Sequence, residues 1–346
     1  MQEPKLHIGS DFESLKMDQL ADSSVPPWES TATQTAYAET GRQVLSIAAE
    51  VLEHRGFNEV FMPSHLCESM IQPFLSRGWA VDAIPLTRDL RIDTANQPLP
   101  FRSHSVVVLA AYFGHIPSPA HIELAHAARS VGAFVIEDET HRVFTPGADW
   151  AHLRFASLRK ILPVADGAYA QGHVEILSRI NQLPASDSRR WTAMDMKTGK
   201  LNTEGFGGYR EVMDAENGRL EQPGRLRHVT DRTIQELKRL PYEVLASTRL
   251  KNSATLRLAL HRAGVRTVNI DERGVPSYVV IVIEKPREMQ RRLAAQGVYC
   301  PIHWPATGAA PSGEAWRNDL LSIPVDHRYD ADDMERVAQL IQSEAE

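Results

Sequence analysis

Cysteine is scarce in this chain: Cys67 and Cys300 are the 2 among 346 residues, so a single bridge is the most they could form and a disulfide-built scaffold is excluded. Also missing is any uncharged apolar run near the roughly 18 residues that span a bilayer, and the opening MQEPKLHIGSDFES has neither a basic nor an apolar leader region. The expectation is a cytoplasmic protein with no membrane role. Charge of one sign is not in excess, since 38 Lys and Arg against 44 Asp and Glu give a net charge of -6, which leaves no overall footprint for nucleic acid. The one basic amphipathic stretch, GRLRHVTDRTIQELKRL, reads as a solvated helix face. Repeats at solenoid periods and low-complexity tracts are absent too. What is present, 42% hydrophobic and 24% charged residues, is an ordinary globular composition, long enough for a substantial core in two lobes or domains.

Residues 1–35 are weakly periodic and end in SSVPPWESTATQ, which suggests an arm on the surface of its own or a partner subunit. From Thr40 the pattern is helical: Val44, Leu45, Ala48, Val51 and Leu52 share a face, with Thr40 as N-cap and Gly56 as the stop. Short apolar runs then alternate with helical stretches: EVFMPS, VDAIPL, SVVVLAAYFG, a helix through PAHIELAHAARSVG, AFVIEDET, LRFASLRK and GAYAQGH. Such alternation predicts an α/β fold, a mostly parallel sheet flanked by helices, in a large domain over 36–225. The polar region 174–225 reads as loop with short helix. A linking helix over Asp231 to Ala263, interrupted near Pro241, leads into a smaller C-terminal α/β domain within 226–346, where SYVVIVIE is a strand and PREMQRRLAAQG a helix. The final helix carries Met334, Val337, Leu340 and Ile341 on one face.

Polar groups at the ends of buried strands carry the chemistry. AFVIEDETH runs from apolar residues into Glu137, Asp138, Glu139 and His141, and ligands of open α/β sheets sit at such ends. Adjacent strand residues alternate sides, so these acids do not converge and no metal is expected. Ser157, Leu158, Arg159 and Lys160 follow, and a helix start, Thr40-Gly41-Arg42, lies upstream. A lysine, a strand-end aspartate and a helix N-terminus are the three parts needed to hold pyridoxal 5'-phosphate (PLP). The lysine amine condenses with the aldehyde as a Schiff base, helped by desolvation or a nearby cation such as Arg159. The aspartate keeps the pyridine nitrogen protonated. The amides of Thr40, Gly41 and Arg42, the Ser157 hydroxyl and a guanidinium suit the phosphate.

The order of helix-start Gly, VIED followed by His, S..K and DG.Y resembles the fold type I PLP-dependent enzymes, and among them the DegT-type aminotransferases of sugar biosynthesis, over roughly residues 38 to 346. The resemblance implies that Asp138 pairs with the pyridine nitrogen, that His141 lies near the phenolic oxygen, and that Lys160, before ADGAYA, carries the cofactor. It implies a homodimer with the active site at the interface, and transamination through a Lys160 aldimine from an amino-acid donor, glutamate in the family, to a keto acceptor, a nucleotide-linked keto sugar. His303 and Trp304 in PIHWP match a segment that lines the substrate pocket, and LLSIPVDHRYDADDMERVAQLI resembles the family's C-terminal ending.

Several positions depart from the family pattern. Where the family has an aromatic after PS, this chain reads PSHLCES, with Cys67 in the aromatic's place, so either His65 stacks on the ring or the packing there is looser. The family serine stands five before the lysine, where this chain has Phe155, so Ser157 as a phosphate ligand follows from chemistry. The loop that crosses to the partner with an asparagine reads GFGGYREVM here; Tyr209 or Arg210 takes that role, or the contact is lost. Arg328 is a candidate for a bidentate grip on a substrate α-carboxylate, which keeps a small keto acid acceptor open. Non-transamination chemistry on the cofactor, or a non-catalytic dimeric relative, are further alternatives.

Overall fold

Runs such as Val106-Val107-Val108 and Val135-Ile136 have no polar face, as strands covered by helices on both sides require. In the computed structural model, which describes residues 7–31, 34–93, 95, 99–199, 208–222, 224–269, 273–305 and 317–345, these runs lie inside a seven-stranded sheet. The chain order begins β1 (Ile8–Gly9), β2 (Ala36–Ala38), α1 (Gly41–Glu53), β3 (Glu59–Pro63), α2 (Glu68–Leu75), β4 (Ala80–Ile84), β5 (Ser105–Ala110), α3 (Pro119–Ser130), β6 (Phe134–Asp138), β7 (Leu153–Ser157) and β8 (Ala168–Gly172). It continues with α4 (Val174–Asn181), α5 (Arg190–Lys197), α6 (Tyr209–Leu220), α7 (Asp231–Leu237), α8 (Tyr242–Arg262), β9 (Tyr278–Val282), α9 (Pro286–Ala295), β10 (Val298–Tyr299), β11 (Leu320–Pro324) and α10 (Ala331–Ala345).

The large sheet has the order β2-β8-β7-β6-β5-β3-β4. Strands β4, β3, β5, β6 and β7 run parallel, and β8 is antiparallel to both its neighbours. Alternate residues of β5 serve opposite cores: Val106 and Val108 pack with α1, α2 and α4, while Val107 and Leu109 pack with α3. Register places Asp138 beside Ala110 on one side and Phe155 on the other, so the C-terminal ends of β5, β6 and β7 form one edge. Strands β9 and β11 pair antiparallel. They share a separate core with Leu256 of α8, Met289 and Leu293 of α9, and Met334, Val337 and Ile341 of α10.

Two expectations need revision. The stretch 174–225 holds three helices, α4, α5 and α6, rather than loop with one short helix. Helix α4 buries Ile176, Leu177 and Ile180, whereas the buried residues of α5 and α6 include Arg190, Asp195 and Glu216, which hides their period. The N-terminal arm, in its described part, lies along the surface at residues such as Met17 and Val25 but inserts Ile8, Leu15 and Trp28 into the interior. Ile8 belongs to the small core, through a parallel pairing of β1 with β10. Trp28 is fully buried; it stacks on Tyr169 at 4.9 Å and donates from Nε1 to Tyr37 Oη at 2.9 Å. No helix of the described residues is long and apolar enough to cross a membrane.

The arm is therefore part of the fold's stability. Trp28→Ala should cost about 3–5 kcal/mol of unfolding free energy and Trp28→Phe, which removes the Nε1 bond while keeping an aromatic ring, about 1 kcal/mol, both read by denaturant titration.

Candidate functional site

Parallel pairing of β6 and β7 brings the carboxylate of Asp138 and the short helical turn Leu158–Lys160 to the same sheet edge. Both Asp138 and Lys160 line a cavity of about 140 Å³, and both line a smaller one of about 20 Å³ beside it. Thr140 ties the two strand ends together: its N–H donates to Asp138 Oδ1 at 2.8 Å and its Oγ1 accepts from the Ser157 N–H at 2.9 Å. Burial raises the Asp138 pKa, opposed by the bonds from Thr140 and the charge of Lys160. A carboxylate so placed gains most from a cationic partner. Its sequence neighbours face away: Glu137 accepts from His121 Nε2 at 2.9 Å, and Glu139 from Arg142 at 2.9 Å and from the Tyr169 hydroxyl.

The lysine loop is held at both ends. At the Asp166-Gly167 turn, Gly167 has φ +110°, a conformation glycine adopts without penalty. Its N–H donates to Glu39 O at 2.8 Å, and its carbonyl accepts from Leu158 N–H at 2.9 Å. Asp166 accepts from Thr230 N–H at 3.0 Å and from the Thr233 hydroxyl. Just past the lysine, the buried Arg249 donates to Ile161 O at 2.6 Å and to Ser277 O at 3.1 Å. Lys160 itself makes no hydrogen bond or ion pair among the described residues, although its neighbours are fixed.

On the other side of the same cavity lies the start of α1. Thr40 caps the helix, accepting from Gln43 N–H at 3.4 Å, which leaves the amides of Gly41 and Arg42 without intrahelical partners. A Cβ at Gly41 would lie 3.1 Å from Phe155 Cε2 and 3.4 Å from Ser157 Cβ, so glycine permits this close approach of helix and strand. The Arg42 side chain donates to Glu221 O at 2.7 Å at the rim. Arg159 differs from the buried Arg142, Arg154, Arg190 and Arg249, all of which are hydrogen-bonded. Its guanidinium has no such bond among the described residues, and its Nε is buried without a partner. Burial, with the repulsion of Arg190 and Arg42, lowers it to about 10. An unpartnered guanidinium beside a helix N-terminus and the Ser157 side chain is a receptor for an anion.

Rings close the site above the aspartate. The His141 ring lies 5.0 Å from that of Phe113 and 5.7 Å from that of Trp304, stacked nearly parallel to the latter. Its Nδ1 accepts from the Phe113 N–H at 3.1 Å. Burial, with repulsion from His303 and Lys160, holds it far below the usual histidine pKa. The neutral ring therefore carries its proton on Nε2, as a donor. His303 bonds Ser322 Oγ at 2.9 Å and is lowered to about 3 by burial and by the charge of Lys160. With Trp304 and Tyr278 it lines a larger cavity of about 660 Å³ that also contains His141, Arg159 and Lys160.

Thr40, Gly41, Arg42, Asp138, His141, Ser157, Lys160, His303 and Trp304 are thus brought around connected cavities. Three other candidates serve elsewhere and a fourth is spent. His65 is buried outside these linings, bonded to His303 O at 2.9 Å; Cys67 faces all three cavities instead. Tyr209 and Arg210 line a different cavity, beside Lys197 and Arg336; the part of their loop over 200–207 lies outside the described residues. Arg328 reaches the larger cavity, but its Nε and Nη2 are engaged by Asp326, at 2.7 and 2.9 Å, and its Nη1 by carbonyls of the arm, so no free fork remains for a substrate carboxylate. Sequence reasoning did not single out Tyr278 or the arm as lining; it noted Cys67 only as standing in the family aromatic's place, and Arg159 only as a cation near Lys160.

The buried histidines make stability depend on pH. His65 and His303 are lowered to about 4 and about 3, so below about 6.5 the unfolded chain binds protons that the folded chain does not. Unfolding free energy should fall as pH drops from about 6.5 towards these values, by up to ~1.4 kcal/mol per pH unit for each histidine. His303→Asn should flatten part of that slope in denaturant titrations run from pH 7 to pH 4.

No family model matches this chain, and no curated protein matches it. Solved structures do. The sugar aminotransferase CalS13 from Micromonospora echinospora aligns over 97% of this chain and 99% of its own, at 15% identity and a TM-score of 0.65. A DegT DnrJ EryC1 StrS aminotransferase from Brucella abortus aligns over 91% and 86%, at 15% identity and 0.60. DesI, solved with its TDP-sugar product, aligns over 95% and 86%, at 16% identity and 0.61. The architecture is therefore that of the fold type I PLP-dependent transferases, with its mostly parallel seven-stranded sheet and a smaller α/β unit.

Proposed function

We propose that the protein is a PLP-dependent aminotransferase that moves an amino group from an amino-acid donor, glutamate by resemblance, to a keto acceptor of sugar size. The observation that carries this reading is the unpartnered Lys160 amine in one cavity with Asp138, the α1 N-terminus and the orphaned Arg159 guanidinium. These residues fit the cofactor: a lysine for its aldehyde, a carboxylate for its ring nitrogen and an anion receptor for its phosphate. When bound, PLP supplies the aldehyde that condenses with amines and the ring that accepts the electron pair left at a substrate Cα.

Each residue then has a task of its own. Gly41 and Arg42 amides, Ser157 and Arg159 bind the phosphate. Asp138, fixed by Thr140, holds a proton on the ring nitrogen, and the cationic ring repays the cost of burying the carboxylate. His141 Nε2–H is placed to orient the ring oxygen. Trp304, stacked on His141, excludes water from that side. Lys160 Nζ would hold the cofactor through its aldehyde and, as a free amine, would take and return the substrate Cα proton.

Two features support an acceptor larger than a small keto acid. Arg328 is spent on Asp326 and the arm, and the cavity of about 660 Å³ falls within the range of about 300–1,000 Å³ that takes drug-sized ligands. The structures of CalS13 and DesI point in the same direction by analogy, a nucleotide-linked keto sugar being the class. The reading carries a homodimer with it, as the resemblance implies.

Borohydride treatment of the PLP-loaded protein should fix the cofactor covalently to the peptide containing Lys160, read by mass spectrometry. Lys160→Ala should remove that adduct and lower transamination by at least about 10²–10⁴-fold. Addition of glutamate should shift the visible band of the parent protein to that of the amine form. A cofactor-loaded protein labelled at another lysine contradicts the assignment.

A further inference from the structure

The arm does more than stabilise the fold. Gly9, Ser10, Asp11 and Phe12 line the same large cavity as Lys160, facing Gln290, Arg291 and Ala294 of α9. Unusual care is taken to hold them there. Gly9 N–H donates to Tyr329 Oη at 2.6 Å. Arg328 Nη1 donates to Gly9 O at 3.3 Å and Asp11 O at 3.2 Å, with the guanidinium 4.4 Å from the centre of the Phe12 ring. Arg190 donates to Asp11 Oδ1 at 3.3 Å, and Lys197 to Ser10 Oγ at 3.0 Å.

The backbone adds a second constraint. Gly9 and Ser10 both have positive φ, +88° and +64°, a conformation that costs an L-residue such as serine and persists where the surroundings impose it. A Cβ at Gly9 would lie 2.0 Å from Tyr299 O. The chain therefore leaves β1 in a tight left-handed turn that only this glycine permits, and this turn delivers Asp11 and Phe12 to the cavity. Asp11 keeps a carboxylate oxygen for hydroxyl donors, and Phe12 offers an apolar edge.

We propose that residues 9–12 are the acceptor-selecting wall of the pocket, contacting the hydroxyl-bearing part of the acceptor distal to its reacting carbon, and that Arg328 is the positioning residue that clamps this wall. The inference rests on the aminotransferase reading above. It explains why Arg328 reaches the cavity while spending its donors on the arm, and it assigns selection to a segment far in sequence from Lys160.

Gly9→Ala, which displaces the turn, and Phe12→Ala, which only trims the wall, test this in the PLP-loaded full chain. Steady-state kinetics with a nucleotide-linked keto sugar and with pyruvate give the comparison, and visible absorbance titration gives PLP affinity. The expected result is a KM for the keto sugar raised at least tenfold in Gly9→Ala and severalfold in Phe12→Ala, with KM for pyruvate and PLP affinity each within twofold of the parent. Arg328→Lys, which keeps charge but loses the fork, should raise KM for the keto sugar and leave PLP affinity alone. In the parent protein, keto sugar binding should slow amide hydrogen exchange in residues 9–12, a measurement that needs no variant to fold. Unchanged exchange there, an unchanged KM for the sugar, or an equal rise for both acceptors overturns the wall assignment and leaves the cofactor reading standing. A parent protein that takes up no PLP overturns that reading, and this inference with it.

Discussion

The register between β6 and β7 is the constraint on which the site depends. Because Asp138 pairs with Phe155, the loop that follows Ser157 must return over the end of β6, and Lys160 comes to the cavity that the aspartate lines. A slip of one residue would send Asp138 to the side where Glu137 and Glu139 meet Arg142. That opposite side is crowded with its own buried charge network, so the register is fixed by electrostatics as well as by hydrophobic packing. The two faces of one strand end thus have different chemistry: one satisfied internally, the other left with a carboxylate and an amine open to a ligand.

Desolvation governs much of the rest. Neutral His141 and His303 stand beside the lysine without adding positive charge, because burial and the charge of Lys160 disfavour their protonated forms. Positive charge stays instead on arginine: Arg159, even lowered to about 10, is protonated near neutral pH. The same burial that is costly for an unpaired guanidinium in the isolated chain strengthens its attraction for an anion. This separation of neutral donors from fixed cations is what allows one small space to bind a charged ligand and still leave an amine for chemistry.

Much of this was legible in the sequence, for identifiable reasons. Helix α1 declared itself through Thr40 and the spacing of Val44, Leu45, Ala48, Val51 and Leu52, and all five of those apolar residues are buried. Strands β5 and β6 followed from β-branched runs, β7 from the short apolar stretch LRFAS, and Asp138 with Lys160 from their positions at or just beyond strand ends. Helices α5 and α6 were not legible, because their inward faces include Arg190 and Glu216, whose partners include Ala165 O and Ser188 Oγ in other segments. His65 looked available beside a proline and serine, yet a carbonyl more than two hundred residues away claims its ring. Arg328 looked like a free fork although Asp326, two residues before it, takes its Nε and Nη2; the arm carbonyls that take its Nη1 come from the other end of the sequence. Long-range polar pairing leaves no period in a sequence.

The pairing of Ile8 with Val298 also sets an order of events during synthesis. Ile8 and Gly9 have their partners at Val298 and Tyr299, so they cannot dock until β10 has been made. The large sheet can assemble around β6 and β7 well before then. The part of the larger cavity that Gly9 lines thus forms through one of the least local pairings in the fold.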